Sequence, residues 1–139
     1  MRLSVQPSTD PSGYPFTHPI RVRFAETDAM SIVHHSVYPV YLEEARVAYL
    51  SAVGQPYTQL HDSGFDMTVL EVWVGYRRPL RFDEVVDVAV AIAEVTRTTL
   101  QIAYCLTVGG ALRATAVTIH GCVDREGKPR RLPEWLRPG

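Results

Sequence analysis

Apolar and polar residues alternate along several stretches of this chain, and a period of two is typical of a half-buried β-strand. The clearest stretch covers residues 98–108, where every second residue from Leu100 to Val108 is apolar. Gly109 and Gly110 follow directly and predict a two-residue hairpin turn. The same reasoning predicts further strands that begin at Pro19 and that cover residues 68–76, 84–95 and 111–124.

The period changes to that of a helix after Ser36, which is predicted to be the N-cap. Pro39 then falls in the first turn, where a missing N–H group costs little. Gly54 and Pro56 predict the end of the helix. Apolar residues recur at helical spacing in between, and three valines widen the apolar face, so the helix is predicted to be largely buried. These residues are Tyr38, Tyr41, Leu42, Ala45, Ala48 and Ala52, with Val37, Val40 and Val47.

The order of these elements predicts an α+β fold. One long helix is followed by a short helix or turn over residues 57–62 and then by strands with short connections, which favours an antiparallel sheet over a βαβ repeat. Residues 1–18 are rich in Pro, Ser, Thr and Gly and are predicted to form a flexible arm. Residues 19–139 are predicted to form one domain.

Composition excludes several classes of function. The chain has 139 residues, of which 46% are apolar and 21% charged. Its net charge of −1 does not indicate a surface that binds nucleic acid. No apolar stretch is long enough to predict a membrane span, and no signal peptide is apparent, so we expect a cytoplasmic protein. Cys105 and Cys122 are too far apart for a zinc motif and are interpreted as buried free thiols.

The candidate chemistry lies between Arg21 and Leu50. The alternating stretch there ends in a lone acid, Asp28, and paired histidines, His34 and His35, come just before the predicted helix. A carboxylate near a helix N-terminus, whose free N–H groups can polarise a carbonyl, predicts acyl-transfer chemistry without a serine or cysteine nucleophile. Asp28 would act as the general base or as the nucleophile, and the sequence leaves both open.

The string FAETDAMSIVHHSVYPVYLEEAR resembles the signature of hotdog-fold acyl-CoA thioesterases of the 4-hydroxybenzoyl-CoA thioesterase type. The stretches YRRPLRFDEVVDV, TRTTLQIAY and VDREGKPRRLP are also similar to this family, so the resemblance covers residues 19–133. It implies an antiparallel sheet wrapped around a long central helix. It also implies a homodimer, or a homotetramer built from dimers, with active sites between protomers and an acyl-CoA or aroyl-CoA substrate.

The resemblance also implies roles for residues. Asp28 matches the catalytic acid, and His35 matches the helix-start residue whose N–H polarises the thioester carbonyl. Arg97, just before Thr98, falls where basic residues contact the coenzyme A phosphates in some relatives. Three further arginines at strand ends are candidates behind Arg97 for this contact, because a solvated role is the usual expectation there: Arg77, Arg78 and Arg81. This chain departs from the family at Met30-Ser31, where relatives commonly carry a glycine, which puts the acyl pocket and hence the substrate in doubt.

Other residues allow two interpretations. His34 and His35 are a poor metal pair without a third ligand, so no metal is expected, although either imidazole could orient substrate. Glu43 and Glu44 lie on the helix, with Glu43 facing Arg46; Glu44 is the better candidate for contact with substrate. Tyr38 is interpreted as a core or pocket-wall residue.

The sequence therefore favours a thioesterase that releases a free acid and coenzyme A without a cofactor. Two rivals remain. A hotdog hydratase or dehydratase would place a histidine five residues after the acid, and that position holds Val33. A non-catalytic acyl-CoA-binding module would keep the pocket without turnover. Acyl chain length, aromatic preference and the thioester carrier cannot be predicted.

Overall fold

A computed structural model describes residues 3–54 and 56–136, which form one antiparallel sheet and one long helix. The strands are β1 (Phe16–Arg21), β2 (Asp66–Tyr76), β3 (Val85–Val95), β4 (Thr99–Val108) and β5 (Ala111–Val123), and the helices are α1 (Tyr38–Val53) and α2 (Tyr57–Asp62). The strand order is β1-β3-β4-β5-β2, so β1 and β2 form the two edges. This arrangement confirms the predicted α+β architecture.

The β4–β5 hairpin confirms the turn predicted from the two glycines. Gly109 and Gly110 have φ angles of 56° and 84°, a pair of positive values that only glycine adopts without strain. The short helix α2 over residues 57–62 is also confirmed. None of the helices among residues 3–54 and 56–136 is long and apolar enough to cross a membrane.

The first strand begins at Phe16, three residues before the predicted start at Pro19. Proline marks a strand boundary in most sequences, but β1 is an edge strand, where a residue without an N–H group is tolerated in the interior. Phe16 pairs with Val90, and its ring stacks on Tyr49 at 5.3 Å between centroids. The flexibility predicted for residues 1–18 stays a prediction.

The start of α1 differs from the prediction that Ser36 is the N-cap. Ser36 lies inside a single 3₁₀ turn, His35–Val37, which leads directly into α1, and Val37 is the N-cap position of α1. The cap of the 3₁₀ turn is His34, whose Nδ1 accepts a hydrogen bond from the Ser36 N–H group. An imidazole nitrogen therefore takes the part usually played by a hydroxyl or carboxylate oxygen. Pro39 does fall in the first turn of α1, and the helix ends before Gly54, as predicted.

The face that α1 buries against the sheet is narrower than predicted. Its buried residues are Tyr38, Tyr41, Leu42, Ala45, Tyr49 and Leu50. Val40 and Val47 are 56% and 38% exposed, and Ala52 is also exposed, so the prediction of a largely buried helix is wrong for one protomer. The sheet covers only one side of the helix, and the valine side is left uncovered.

The opposite face of the sheet is covered in part by the N-terminal segment. Gln101, Ala103 and Cys105 of β4 are buried although they point away from α1. Ser4 contacts Gln101 through its N–H group and its hydroxyl, and the Cys105 thiol donates to the Thr9 carbonyl at 3.7 Å. Cys105 and Cys122 are both buried free thiols within strands, as predicted.

Candidate active site

Asp28 lies in a tight loop that the bridge between Thr27 and Val33 closes. Its N–H group donates to the Ile32 carbonyl, and its own carbonyl accepts from the Ser31 N–H group, both at 2.9 Å. One carboxylate oxygen, Oδ1, accepts from the Met30 N–H group at 2.8 Å. Because that bond orients a half-buried carboxylate, the second oxygen remains for a reacting group.

The buried carboxylate of Glu26 holds this loop from behind. It accepts hydrogen bonds from the Tyr41 hydroxyl at 2.7 Å, from the Arg23 N–H group at 2.8 Å and from the Arg23 guanidinium. Burial alone would raise the pKa of Glu26, but these donors outweigh it and hold the pKa below the ordinary value. The Glu26 carbonyl also accepts from the His34 N–H group, so the same residue ties the acid loop to the helix start.

The start of α1 presents one free backbone donor. His34 occupies the next two N–H groups, since its Nδ1 accepts from Ser36 and its carbonyl accepts from Val37. The His35 N–H group has no acceptor among residues 3–54 and 56–136, as expected for the first residue of a helix. A carbonyl oxygen placed there would receive a hydrogen bond and the favourable end of the helix dipole.

Asp28 and His35 line one cavity of about 400 Å³. The predicted site residue Tyr38 also lines it, and its ring packs edge-on against Tyr76 at 4.8 Å between centroids. The full lining is Asp28, Met30, Ile32, Val33, His35, Tyr38, Tyr76, Arg77, Arg78 and Pro79. The acid, the helix start and an apolar wall thus come together within a single protomer, which we call the acid cavity.

Four of the residues predicted for the site lie elsewhere. His34 does not line the acid cavity, although its ring lies 4.1 Å from that of His35. Glu44 is exposed and its carboxylate meets His18 Nε2 at 2.7 Å. Arg97 and Thr98 are exposed in the β3–β4 turn, at the end of the sheet where Thr99 and Thr68 both pair with Gly121, far from Tyr76.

The sequence did not single out Tyr76 and gave Arg77 and Arg78 only as candidates behind Arg97 for phosphate contact. Tyr76, Arg77 and Arg78 bring an aromatic ring and two guanidinium groups to the acid cavity. The only signal for the arginines was their position at a strand end, where a solvated role is the usual expectation. Their proximity to Asp28 depends on the long-range pairing of β2 with β5, which cannot be seen in local sequence.

A half-buried ion pair holds this arginine segment in place. Both Arg113 nitrogens contact Glu84, at 2.8 and 2.9 Å, and Arg113 also donates to the Pro79 carbonyl. The guanidinium keeps the pKa of Glu84 below its ordinary value. Arg77 and Arg78 in turn donate their N–H groups to the Arg113 carbonyl. The wall of the acid cavity opposite the loop is therefore fixed by a bidentate pair.

The loop at Met30-Ser31, where relatives commonly carry a glycine, has a backbone conformation that favours glycine at Ser31. The φ angle of Ser31 is 64°, in the left-handed region that favours glycine. A loop of this shape is therefore built here with a residue that has a side chain. Among residues 3–54 and 56–136, no three His, Cys, Asp or Glu side chains are grouped so that they could hold a metal ion.

Comparison with known proteins places this geometry in a family. The model of the thioesterase-like superfamily matches residues 22–138. A solved structure from Aquifex aeolicus, described as a hypothetical protein, is 37% identical and has a TM-score of 0.84, covering 88% of this chain and all of its own. The DHNA-CoA thioesterase of Staphylococcus aureus is 29% identical with a TM-score of 0.81, covering 84% and 79%. The acyl-CoA thioester hydrolase YbgC of Escherichia coli is 28% identical over 123 residues, covering 87% and 92%.

Proposed function

Because the chain belongs to the thioesterase-like superfamily and is an acyl-CoA thioester hydrolase with the hotdog fold, we propose that Asp28 and the start of α1 carry its reaction. The observation that supports this is the acid cavity, which both Asp28 and His35 line. The substrate would be an acyl- or aroyl-CoA thioester, and the products the free acid and coenzyme A. No cofactor is part of the proposal.

In the proposed reaction the thioester carbonyl oxygen accepts from the His35 N–H group, which stabilises the negative charge that develops on it. Asp28 either removes a proton from an attacking water or attacks the carbonyl carbon itself to form a mixed anhydride that water then opens. Both routes break the C–S bond, add one water and release a thiol. Since a thiolate leaves readily, the helix start and one carboxylate suffice.

The phosphates of coenzyme A would meet Arg77 and Arg78, which line the acid cavity. Guanidinium groups bind phosphate oxygens through paired N–H donors. Arg97 and Thr98 lie at the other end of the sheet, so within one protomer they are far from Asp28. They could reach the same substrate only from a second protomer.

A homodimer formed through β2 would supply that second protomer. Among the strands that the structure describes, β2 lies at an edge and has β5 as its one neighbour. It exposes a run of large apolar residues, and a bare apolar edge is a template for pairing with a second chain. These residues are Val69, Leu70, Val72, Trp73 and Tyr76. Antiparallel pairing of two copies would bring the Thr68 end of one strand beside the Tyr76 end of the other.

The proposal is tested by the release of free thiol from a panel that includes butyryl-CoA, hexanoyl-CoA and benzoyl-CoA. Asp28→Asn should lower kcat/KM by about 10²- to 10⁴-fold, because an amide is neither a base nor a nucleophile. Asparagine can still accept from the Met30 N–H group, so the loop should keep its shape.

Asp83→Asn is the matched control, since that exposed aspartate pairs with Arg21, also exposed, and does not line the acid cavity. Its rate should equal that of the wild type. Full activity of Asp28→Asn on the substrates that the wild type hydrolyses would disprove the proposed role. The cytoplasmic location expected from the sequence stays a prediction.

A further inference from the structure

A second cavity of about 280 Å³ lies between the second half of α1 and the sheet. It is lined by Glu43, Arg46, Val47, Leu50, Tyr57, Met67, Val69, Leu100, Ile102 and His120. Arg46 is eight residues after Tyr38, which places it about 12 Å further along the helix than the acid cavity. Most of the wall is apolar, so its few polar groups decide what it can hold.

Arg46 points its guanidinium into this apolar region with little to bind. Its side chain is only 12% exposed. The hydroxyl of Tyr104 lies 3.4 Å away, and the nearest oxygen of Glu43 lies 3.9 Å away. Both contacts are long for a group with five N–H donors. Because the Glu43 side chain is 69% exposed, its carboxylate stands at the mouth of the cavity and leaves the interior positive.

His120 lies in the same wall and is 1% exposed. Burial, and then the charge of Arg46, lowers the pKa of His120 to about 3. The ring is therefore neutral under ordinary conditions and carries a single N–H group. Its Nε2 lies 2.8 Å from the Thr118 hydroxyl oxygen, which lies 2.6 Å from the Tyr104 hydroxyl oxygen.

The direction of these hydrogen bonds determines which nitrogen of His120 is protonated. Arg46 can only donate to the Tyr104 oxygen. The arrangement that then leaves both hydroxyl hydrogens bonded has Tyr104 donating to Thr118 and Thr118 donating to Nε2 of His120. In this arrangement the proton of His120 is on Nδ1, and Nδ1 has no partner among the residues that the structure describes. A buried donor left in this state has lost its hydrogen bond to water without gaining another, which is unfavourable.

The Tyr57 hydroxyl, which also lines the cavity, forms its hydrogen bonds elsewhere. The Tyr57 oxygen accepts from the Met67 N–H group at 3.2 Å and lies 3.4 Å from an oxygen of Asp66. The interior therefore combines one cation and one unpaired neutral donor with an apolar wall. A ligand that matches it carries oxygen acceptors and a negative charge on a compact apolar body.

We propose that this second cavity binds a compact organic carboxylic acid, whose carboxylate accepts from Arg46 and from Nδ1–H of His120 while its apolar body packs against Leu50, Met67 and Val69. The carboxylate could belong to a free acid or to the far end of the acyl group of a coenzyme A thioester. Only the second source rests on the function proposed above.

Isothermal titration with hexanoate and with hexanamide tests the site directly. The wild type should bind hexanoate at least tenfold more tightly than hexanamide, because the amide lacks the charge. Arg46→Met should weaken hexanoate binding at least tenfold. His120→Gln, whose amide can still meet Thr118 but cannot supply the Nδ1 donor, should weaken it severalfold.

Arg21→Met is the matched control, since Arg21 is 63% exposed and lies outside this cavity; its affinity should not change. Asp28→Asn should also bind hexanoate normally, which separates this site from the proposed catalysis. Circular dichroism spectra that match the wild type show that each variant is folded. Equal affinity for the acid and the amide, no binding by the wild type, or unchanged binding by both folded cavity variants would overturn the proposal.

Comparing kcat/KM for decanedioyl-CoA and decanoyl-CoA distinguishes the two sources, since they differ by a terminal carboxylate and a ten-carbon chain is comparable in length to the about 12 Å between the two cavities. A preference for decanedioyl-CoA that Arg46→Met abolishes assigns the carboxylate to the acyl group. Hexanoate binding without such a preference assigns it to a free acid. Both results support the site. A wild type that neither binds hexanoate nor prefers the thioester with the terminal carboxylate would reject it.

Discussion

Glu26 and Asp28 lie two residues apart, but their carboxylates have opposite surroundings. Glu26 is 8% exposed, and all its hydrogen bonds come from the protein. Asp28 is half-buried and lines the acid cavity. The sequence predicted Asp28 as the catalytic candidate because it ends an alternating stretch. It gave no hint that Glu26 is buried, since that depends on Tyr41, which is fifteen residues further along the chain.

The surroundings of Glu26 predict how stability depends on pH. Its folded pKa lies below the ordinary 4.5, so folding favours the ionised form. The contribution of the ionised Glu26 to the free energy of unfolding is complete above the ordinary pKa of 4.5. It is lost as the pH falls through the lower pKa of the folded state. Glu26→Gln should lower the free energy of unfolding by about 1–3 kcal/mol at pH 7 and by less at pH 3, as measured by urea unfolding.

Glu44→Gln is the control for this measurement, because the Glu44 side chain is exposed and its carboxylate contacts His18. It should change the free energy of unfolding by less than about 0.5 kcal/mol at pH 7. A loss for Glu26→Gln that stays constant between pH 7 and pH 3 would contradict the assignment of a lowered pKa to Glu26.

The acid loop and the helix start show that contacts with distant segments determine where an element begins. The sequence placed the loop and the helix correctly, but it named Ser36 as the N-cap, whereas His34 caps the 3₁₀ turn that leads into α1. Serine is the commoner cap, so the local rule favoured it. The backbone bonds from Val33 to Leu80 and from His34 to Glu26 set where the turn begins, and those partners cannot be identified from local pattern.

Strain in the acid loop predicts the outcome of two substitutions at Ser31. A non-glycine residue at a φ of 64° carries about 1–2 kcal/mol of steric cost. Ser31→Gly should therefore keep or raise the free energy of unfolding, since the relief is offset by the greater freedom of glycine in the unfolded chain. Ser31→Val should lower it by about 1 kcal/mol or more, because β-branched residues tolerate this region poorly.

Ser63→Val provides the comparison, since Ser63 has an ordinary φ of −81° at the end of α2. It should cost less than Ser31→Val in the same urea titration. If valine were tolerated equally at both positions, the loop would have to relax to a different backbone shape.

At the scale of the whole molecule, the sequence predicted the fold and the chain order of its elements but not which helix face would be covered. Val40 and Val47 continue the apolar pattern of α1 yet are exposed in one protomer. The apolar edge of β2 is exposed as well. Hydrophobic periodicity predicts that a residue is buried, but it does not predict whether the same chain or a second copy covers that residue.

Assembly through β2 predicts a linked loss of association and activity. Val72 is 44% exposed on the edge strand β2, and a charge there should prevent the pairing of two copies. We expect sedimentation to show a dimer or larger oligomer for the wild type and a monomer for Val72→Lys, with thiol release strongly reduced. Val85→Lys, which changes a valine of β3 that is 37% exposed, should keep both properties. A Val72→Lys variant that stays dimeric would exclude this interface.

The N-terminal segment predicts the reactivity of one thiol. Cys105 is fully buried and lies against the Thr9 carbonyl, and burial raises the pKa of its thiol. In the folded wild type it should react slowly with a disulfide reagent. Deletion of residues 1–14 should speed that reaction at least tenfold, while Cys122, which packs with Leu50, Leu132 and Leu136, should react as before. Equal rates for Cys105 before and after deletion would show that this segment does not protect it.

The acid loop also has a consequence for engineering. Its shape is maintained by main-chain bonds among Asp28, Ser31 and Ile32 and by the Asp28 carboxylate itself. Ala29 and Met30 contribute exposed side chains that none of these bonds use, and Met30 lines the acid cavity. Libraries that randomise these two positions should therefore reshape the acyl pocket without displacing the acid, which makes the loop a natural place to retune substrate preference.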